Sequence, residues 1–216
     1  MKRLLRFIEE IIWPSGVKCL CCDEMDVERY LCPECMRALQ ALKLRAHAGE
    51  ASIRSAYRYD GIAKQLVLLL KEQCVEDAAE VLADDMAEVI GQLNVPDDTV
   101  MTWVSMPSVR ERMRGIDHGR ALCEAVARKT GFPVKKLLER PRKVHTQRGL
   151  TREARLQNLS GTLSCVTKVT HPVLLIDDVL TTGATVAACA AVLQKAGAPA
   201  VYAVTATQAM LRENDD

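Results

Sequence analysis

No apolar run in this chain approaches the ~20 residues that a helix needs to cross a bilayer. The amino end, Met1 to Pro14 (MKRLLRFIEEIIWP), starts basic and contains apolar residues, but Glu9 and Glu10 interrupt it. It therefore lacks the uninterrupted core and the small-residue cleavage site of an export signal. It reads as an amphipathic helix with Leu4, Leu5, Ile8, Ile11 and Ile12 on one side, and a cytoplasmic location is the expectation. Net charge is only +1, which argues against a chain that holds polyanions through its overall charge. Aromatic residues are scarce at 4%, and Phe132 is the only one between Arg110 and Arg155, so base stacking there has little support. There is no Gly-Lys-Ser/Thr end of a P-loop, no fingerprint of three spaced glycines, no internal repeat and no low-complexity segment.

What is present is ordinary in bulk. The 216 residues suffice for one α/β domain with a small appendage, and 49% hydrophobic with 26% charged content suits a folded protein. Charge is uneven along the chain. Glu72 to Asp98 holds nine acidic residues and no basic one, while Arg110 to Arg155 holds fourteen Arg and Lys against five Asp and Glu. That asymmetry has two readings: solvated faces that offset one another, or a functional basic surface.

Nine cysteines without an export signal argue against disulfides. Cys74, Cys123, Cys165 and Cys189 are scattered and suit small core positions. The other five cluster. Cys19 with Cys22 and Cys32 with Cys35 form two C-x₂-C pairs, which can place four thiolates around one structural Zn²⁺ with no open position for catalysis. The hairpin between them has almost no core, so the metal would supply its folding free energy. Cys21 could compete with Cys19 or Cys22, or stay free.

Ser52 to Asp60 alternates like an edge strand, with Ile53, Ser55, Tyr57 and Tyr59 on one side. Ile62 to Glu72 and Glu76 to Leu93 read as helices, the second with an acidic outer face. Strand candidates then follow at Val100 to Met106, Val134 to Leu138, Gly161 to Cys165, Val173 to Ile176 and Val201 to Thr205, with helices at Ile116 to Thr130 and Val186 to Ala196. Leu150 to Asn158 reads as a helical turn, and Glu139 to Gly149 as a polar, basic loop. This alternation predicts an α/β domain: a mostly parallel sheet flanked by helices on both faces, with ligands beyond the strands' carboxyl ends. The expected division is 1–48 for the amino helix and the four-cysteine module, 49–210 for the α/β domain, and 211–216 as a disordered tail.

Val173 to Thr185 (VLLIDDVLTTGAT) carries the chemistry. A short apolar run suits a strand buried on both faces. Asp177 and Asp178 follow, then Thr181-Thr182-Gly183-Ala184-Thr185 leads into a helix. Backbone N–H groups, hydroxyls and a helix amino terminus suit a phosphate. The carboxylates can accept ribose hydroxyls or hold Mg²⁺.

The stretch resembles the signature of type I phosphoribosyltransferases, which bind phosphoribosyl pyrophosphate (PRPP). Over nearly the whole chain the pattern resembles the ComF family. The resemblance rests on the Cys pairs, Tyr59-Asp60-Gly61 before a helix ending at Lys71, Met106-Pro107 with Arg112-Met113-Arg114-Gly115, Gln147 with Arg155 and Asn158, and the Asp177 to Thr185 stretch. Two departures stand out: Val104-Ser105-Met106-Pro107 where the family usually has Pro-Val-Pro, and Ile116-Asp117-His118 where it usually has Phe-Asn-Gln. An ionised Asp117 only accepts hydrogen bonds and would repel a pyrophosphate unless a metal lay between.

The resemblance implies a type I phosphoribosyltransferase-like fold with an amino-terminal zinc ribbon, PRPP binding with Mg²⁺, and a role in DNA uptake during natural transformation. It implies PRPP contacts from Asp177, Asp178, Thr181, Thr182, Gly183, Ala184 and Thr185. Lys71, Arg112 and Arg114 are candidates for the pyrophosphate, whose charge needs cations. His118 and His145 are candidate acid or base groups, and no acceptor-specific base is identified. Three functions remain open: transfer of phosphoribosyl to an unknown acceptor, a PRPP sensor without turnover, and a non-catalytic protein that retains the phosphoribosyl pocket but binds single-stranded DNA or a helicase-like competence partner.

Overall fold

The computed structural model describes residues 18–22, 24, 25, 27, 29–44, 52–104, 117–140 and 163–210. The expected amino helix, the Arg112 to Gly115 segment, the turn at 150–158 and the tail lie outside the described residues. No described helix is long and apolar enough to cross a membrane.

The elements are α1 (Pro33–Gln40), β1 (Ile53–Arg58), α2 (Gly61–Glu72), α3 (Asp77–Gly91), β2 (Val100–Trp103), α4 (His118–Thr130), β3 (Leu138–Glu139), β4 (Ser164–Cys165), β5 (Val173–Leu180), α5 (Ala184–Lys195) and β6 (Val201–Gln208). Four strands form one sheet in the order β1-β6-β5-β2, parallel at every pairing. This is the predicted parallel sheet flanked by helices. β1 is indeed at its edge. Val134 meets β2 only at a single parallel bridge to Met101, and Leu138 and Glu139 leave to pair antiparallel with β4. The expected strand at 134–138 is thus split between two sheets.

The central strand explains the layering. Leu174 and Ile176 face one side, with Met101, Trp103, Val204 and Ala206, and meet Leu66, Leu70, Leu82, Met86, Leu122 and Val126 from α2, α3 and α4. Val173 and Leu175 face the other side and meet Val186, Cys189 and Leu193 of α5. Residues of alternating parity therefore enter two different cores. All four β5 side chains are wholly buried, and each such aliphatic residue contributes roughly 1.5–3 kcal/mol. That is why the run is continuously apolar rather than alternating.

The acidic face of α3 is partly paired, and it differs from the expectation at one residue. Glu80 pairs with Arg128 and Asp84 with Lys129 Nζ at 2.6 Å, so part of the acidic segment neutralises the basic end of α4. Asp85 is not on the outer face at all. It is buried and accepts from the Tyr57 hydroxyl and from Gln40 Nε2 at 3.1 Å, while Lys43 Nζ lies 2.7 Å from its other oxygen. The reason is local: α3 covers β1, and the buried Tyr57 hydroxyl needs an acceptor there.

The same network ties the cysteine module to the sheet. Gln40 ends α1, Lys43 bridges to Tyr57, and Cys19, Leu31, Cys35 and Leu39 share one core with α2 and α3. Asp85→Ala leaves Tyr57, Gln40 and Lys43 without their shared acceptor, which costs about 1–3 kcal/mol for such groups. Urea denaturation should show that loss with an unchanged m-value, and a fully stable variant would disprove the network's role.

Candidate functional site

β5 runs further than its apolar core suggests. Its pairing with β6 continues through Asp177↔Thr205, Val179↔Thr207 and Leu180↔Gln208. The acidic pair therefore lies inside the strand rather than just past its end. On the other side β2 stops at Trp103, opposite Ile176. Asp177 to Leu180 thus project beyond the last described residue of β2's ladder.

Topology marks the same place. After β2 the chain passes through α4 on one face and continues to Val134, on the far side of β2. After β5 it passes through α5 on the opposite face and continues to β6, on the far side of β5. The connections diverge between β2 and β5. Such a switch point opens a crevice at the carboxyl ends of the strands, where open α/β sheets bind ligands.

Consecutive positions on a strand face opposite sides, so the two carboxylates have different surroundings. Asp178 follows Leu174 and Ile176 in parity and is 4% exposed. Its Oδ1 lies 2.7 Å from Lys71 Nζ, in the last turn of α2, and its Oδ2 lies 3.0 Å from His118 Nε2, at the first residue of α4. Beyond that ion pair, Oδ2 has no hydrogen-bond partner among the described residues, and neither has the buried Nδ1 of His118. Burial alone would push the Asp178 carboxyl up. His118 and Lys71 outweigh it and hold Asp178 below the ordinary carboxylate value. The strand is pinned from behind as well, because Thr207 Oγ1 donates to the Asp178 carbonyl at 2.9 Å.

Asp177 has the opposite electrostatics. It is only partly buried at its surface, and its Oδ1 accepts from the Asp178 backbone N–H at 2.9 Å. Desolvation, then the neighbouring Asp178 charge, pushes its carboxyl up to about 7. Two adjacent carboxylates with ionisations driven apart are a mark of functional sites.

His118 holds its place through Asp117. The Asp117 side chain caps α4, accepting from the N–H groups of Gly119 and Arg120, and it also accepts from Trp103 Nε1 at 2.8 Å at the end of β2. Gly119 permits this close approach: a Cβ there would stand 3.1 Å from the Val104 carbonyl oxygen. The carboxylate expected to oppose a pyrophosphate is therefore occupied as a cap and as the acceptor of an indole. Neither contact has a local pattern in the sequence, apart from the position of an acidic residue just before an apolar helix.

The turn after β5 is Thr181-Thr182-Gly183, and α5 starts at Ala184, two residues earlier than expected. Gly183 has φ 75°, a left-handed conformation that only glycine adopts without strain. It offers no side-chain cap to α5. The Ala184 N–H reaches Thr182 Oγ1 at 3.4 Å, and the side chains of Thr181 and Thr182 are exposed. A helix amino terminus whose Gly183 cap supplies no side chain, with two hydroxyls at its entrance, suits an anion. Lys71 is engaged with Asp178, while Arg112, Arg114 and His145 lie outside the described residues.

A second centre sits at the amino end. The Sγ atoms of Cys19, Cys22, Cys32 and Cys35 all lie within 4.8 Å of one another, and Cys22 Sγ is 3.7 Å from Cys32 Sγ. Tetrahedral Zn–S bonds of ~2.3 Å put sulfurs about 3.8 Å apart, so the four fit one zinc ion. The local sequence explains the geometry. Cys32 caps α1, with Pro33 at the first helical position, and its Sγ accepts from the Cys35 N–H at 3.4 Å. Burial acts to raise the Cys19 thiol, but backbone N–H groups, that of Cys32 foremost, outweigh it and hold Cys19 at about 7. Cys21 stands outside the cluster. Its carbonyl accepts from Gln65 Nε2 of α2 at 3.0 Å, and burial with nearby thiolates pushes its thiol up to about 12.

No family model matches the chain, and no curated protein matches it. Solved structures do. A Bacillus subtilis glutamine PRPP amidotransferase complexed with ADP and GMP is 23% identical over 61% of this chain and 26% of its own, with a TM-score of 0.43. An adenine phosphoribosyltransferase from Leishmania tarentolae is 13% identical over 62% of this chain and 71% of its own, at 0.37. A hypoxanthine phosphoribosyltransferase from Staphylococcus aureus is 15% identical over 60% and 62%, at 0.36. The chain spans about a quarter of the amidotransferase.

Two outcomes follow. Metal analysis should find about one zinc per chain, lost in Cys32→Ser and retained in Cys21→Ser; retention in both would break the four-ligand assignment. For Asp177, the folded chain holds a proton between the ordinary value of 3.8 and about 7 that the unfolded chain releases. Stability therefore declines as pH rises through that window. Asp177→Asn should melt above the wild type at pH 8, with the gap closing toward pH 4. A gap independent of pH would contradict the raised ionisation.

Proposed function

We propose that this chain binds PRPP or a closely related phosphoribosyl ligand at the carboxyl end of β5 and is phosphoribosyltransferase-like in chemistry. The observation that carries this reading is the juxtaposition of two electrostatically distinct carboxylates with a hydroxyl-rich turn and an uncapped helix start, all at the switch point of a parallel sheet. Thr181 to Thr185 hold the 5′-phosphate through N–H groups and hydroxyls. Asp177, the carboxylate without a cation on it among the described contacts, accepts the ribose hydroxyls directly or through Mg²⁺. Asp178 supports it from the opposite face. Lys71, with three donors, can serve both Asp178 and an incoming pyrophosphate, and Arg112 and Arg114 supply the remaining positive charge.

Loss of pyrophosphate from the ribose C1 leaves positive charge on the sugar, so the chain's task is positioning and charge stabilisation. Mg²⁺ would neutralise pyrophosphate charge when bound, and the carboxylate donor set suits such a hard cation. Zinc at Cys19, Cys22, Cys32 and Cys35 is structural, since four thiolates leave no position for substrate. We also propose membership of the ComF family and a part in DNA uptake. This rests on the sequence resemblance alone. In that setting the basic segments Arg110 to Arg120 and Arg140 to Arg155 would track single-stranded DNA or a helicase-like partner.

Calorimetric titration of the full chain with PRPP and Mg²⁺ tests the pocket. Binding is expected, with loss of roughly 100-fold or more in affinity when Asp177→Ala and Asp178→Ala are combined. No binding by the wild type, or binding indifferent to both substitutions, sinks the reading. Pyrophosphate release with a panel of nitrogen acceptors then separates turnover from sensing.

A further inference from the structure

Within the phosphoribosyl reading just given, on which this step rests, we propose that His118 is a positioning residue: it fixes the Asp178 carboxylate so that the acidic pair presents one geometry to the ligand. Asp178 is held at each oxygen by a different helix. Lys71 at the end of α2 meets Oδ1 at 2.7 Å, and His118 at the start of α4 meets Oδ2 at 3.0 Å. Lys71 alone would leave the carboxylate free to turn about its side-chain bond, with a buried oxygen facing nothing. The second contact removes that freedom. Nε2 is the ring nitrogen that faces Oδ2, at 3.0 Å.

His118 is itself a fixed point. It is the first residue of α4, and the preceding Asp117 locks that helix start to Trp103 at the end of β2. The ring is largely buried, with a side-chain exposure of 15%, so it has little freedom to leave. A chain of contacts therefore runs from β2 through Asp117 and His118 to Asp178. It sets the end of β5 relative to the end of β2, across the crevice where the connections diverge. Asp177 is the neighbouring residue on the same strand end, and its Oδ1 accepts from the Asp178 backbone N–H. The contacts to Asp178 therefore act at the strand end that carries both carboxylates. This residue acts through Asp178 and does not itself need to touch the ligand.

The test is a titration of the full-length chain with PRPP and Mg²⁺, in wild type, His118→Ala and His118→Gln, with melting temperatures measured in the absence of ligand. Partners that orient a binding group are typically worth 10- to 100-fold in affinity. His118→Ala should weaken binding by roughly that factor. Gln places an amide N–H at a similar reach and should recover most of it. Equal affinity in all three overturns the proposal while leaving the phosphoribosyl reading intact. An affinity that tracks the melting temperature, with Gln no better than Ala, assigns His118 a merely structural part and also overturns it. If His118→Ala does not fold, His118→Asn replaces it. Asn carries the same amide on a shorter stem, so it should fall short where Gln succeeds. Absence of binding in the wild type removes both the reading and the proposal.

Discussion

A carboxylate taken out of water at the end of a central strand has to be matched, or the strand end unravels or the group protonates. Asp178 is in that position, and its partners come from the ends of two different helices. Lys71 closes α2, and His118 opens α4. The ion pair therefore does more than neutralise a charge. It requires the end of α2, the start of α4 and the end of β5 to converge at one point on the carboxyl side of the sheet. Buried pairs of this kind contribute little net stability compared with apolar packing. Their presence is better explained by what they position.

The apolar layers make this convergence possible. β5 is buried on both faces, and its two sets of side chains enter separate cores. One is closed by α2, α3 and α4, the other by α5. Because α4 and α5 lie on opposite faces, the chain leaves β2 and β5 in opposite directions. Open α/β sheets bind ligands in the crevice at such a divergence. The charged residues at its rim sit on elements whose angles are set by burial, which gives the site a rigid frame.

The cysteine module is joined to the same frame. Its buried residues pack in the core that α2 and α3 share, and Gln65 of α2 donates to the Cys21 carbonyl. Asp85 gathers Tyr57, Gln40 and Lys43 from three segments. The Cys19, Cys22, Cys32 and Cys35 sulfurs gather within 4.8 Å of one another, and the polar network fixes the module's seat on the sheet. α2 carries Gln65 against the module and, at its last turn, Lys71 against Asp178.

Local chemistry was readable from the chain alone. The Val173 to Ile176 strand is continuous in apolar residues because both its faces are buried, and the two C-x₂-C pairs have a spacing that metal geometry imposes within a few residues. The threonine-glycine turn likewise depends on conformations that Gly183 can adopt by itself. What tertiary structure decided were the partners. Nothing near Asp178 in sequence indicates Lys71 or His118, nothing near Asp85 indicates Tyr57, and Asp117 gives no sign that it serves Trp103. Acidic residues at strand ends and on helix faces look alike in sequence, because their roles depend on which groups other elements bring to them. The sequence also placed Asp177 and Asp178 together as an equivalent pair. Only the pleat of β5, which turns one toward α5 and the other toward α4, drove their ionisations apart, Asp177 upward and Asp178 downward.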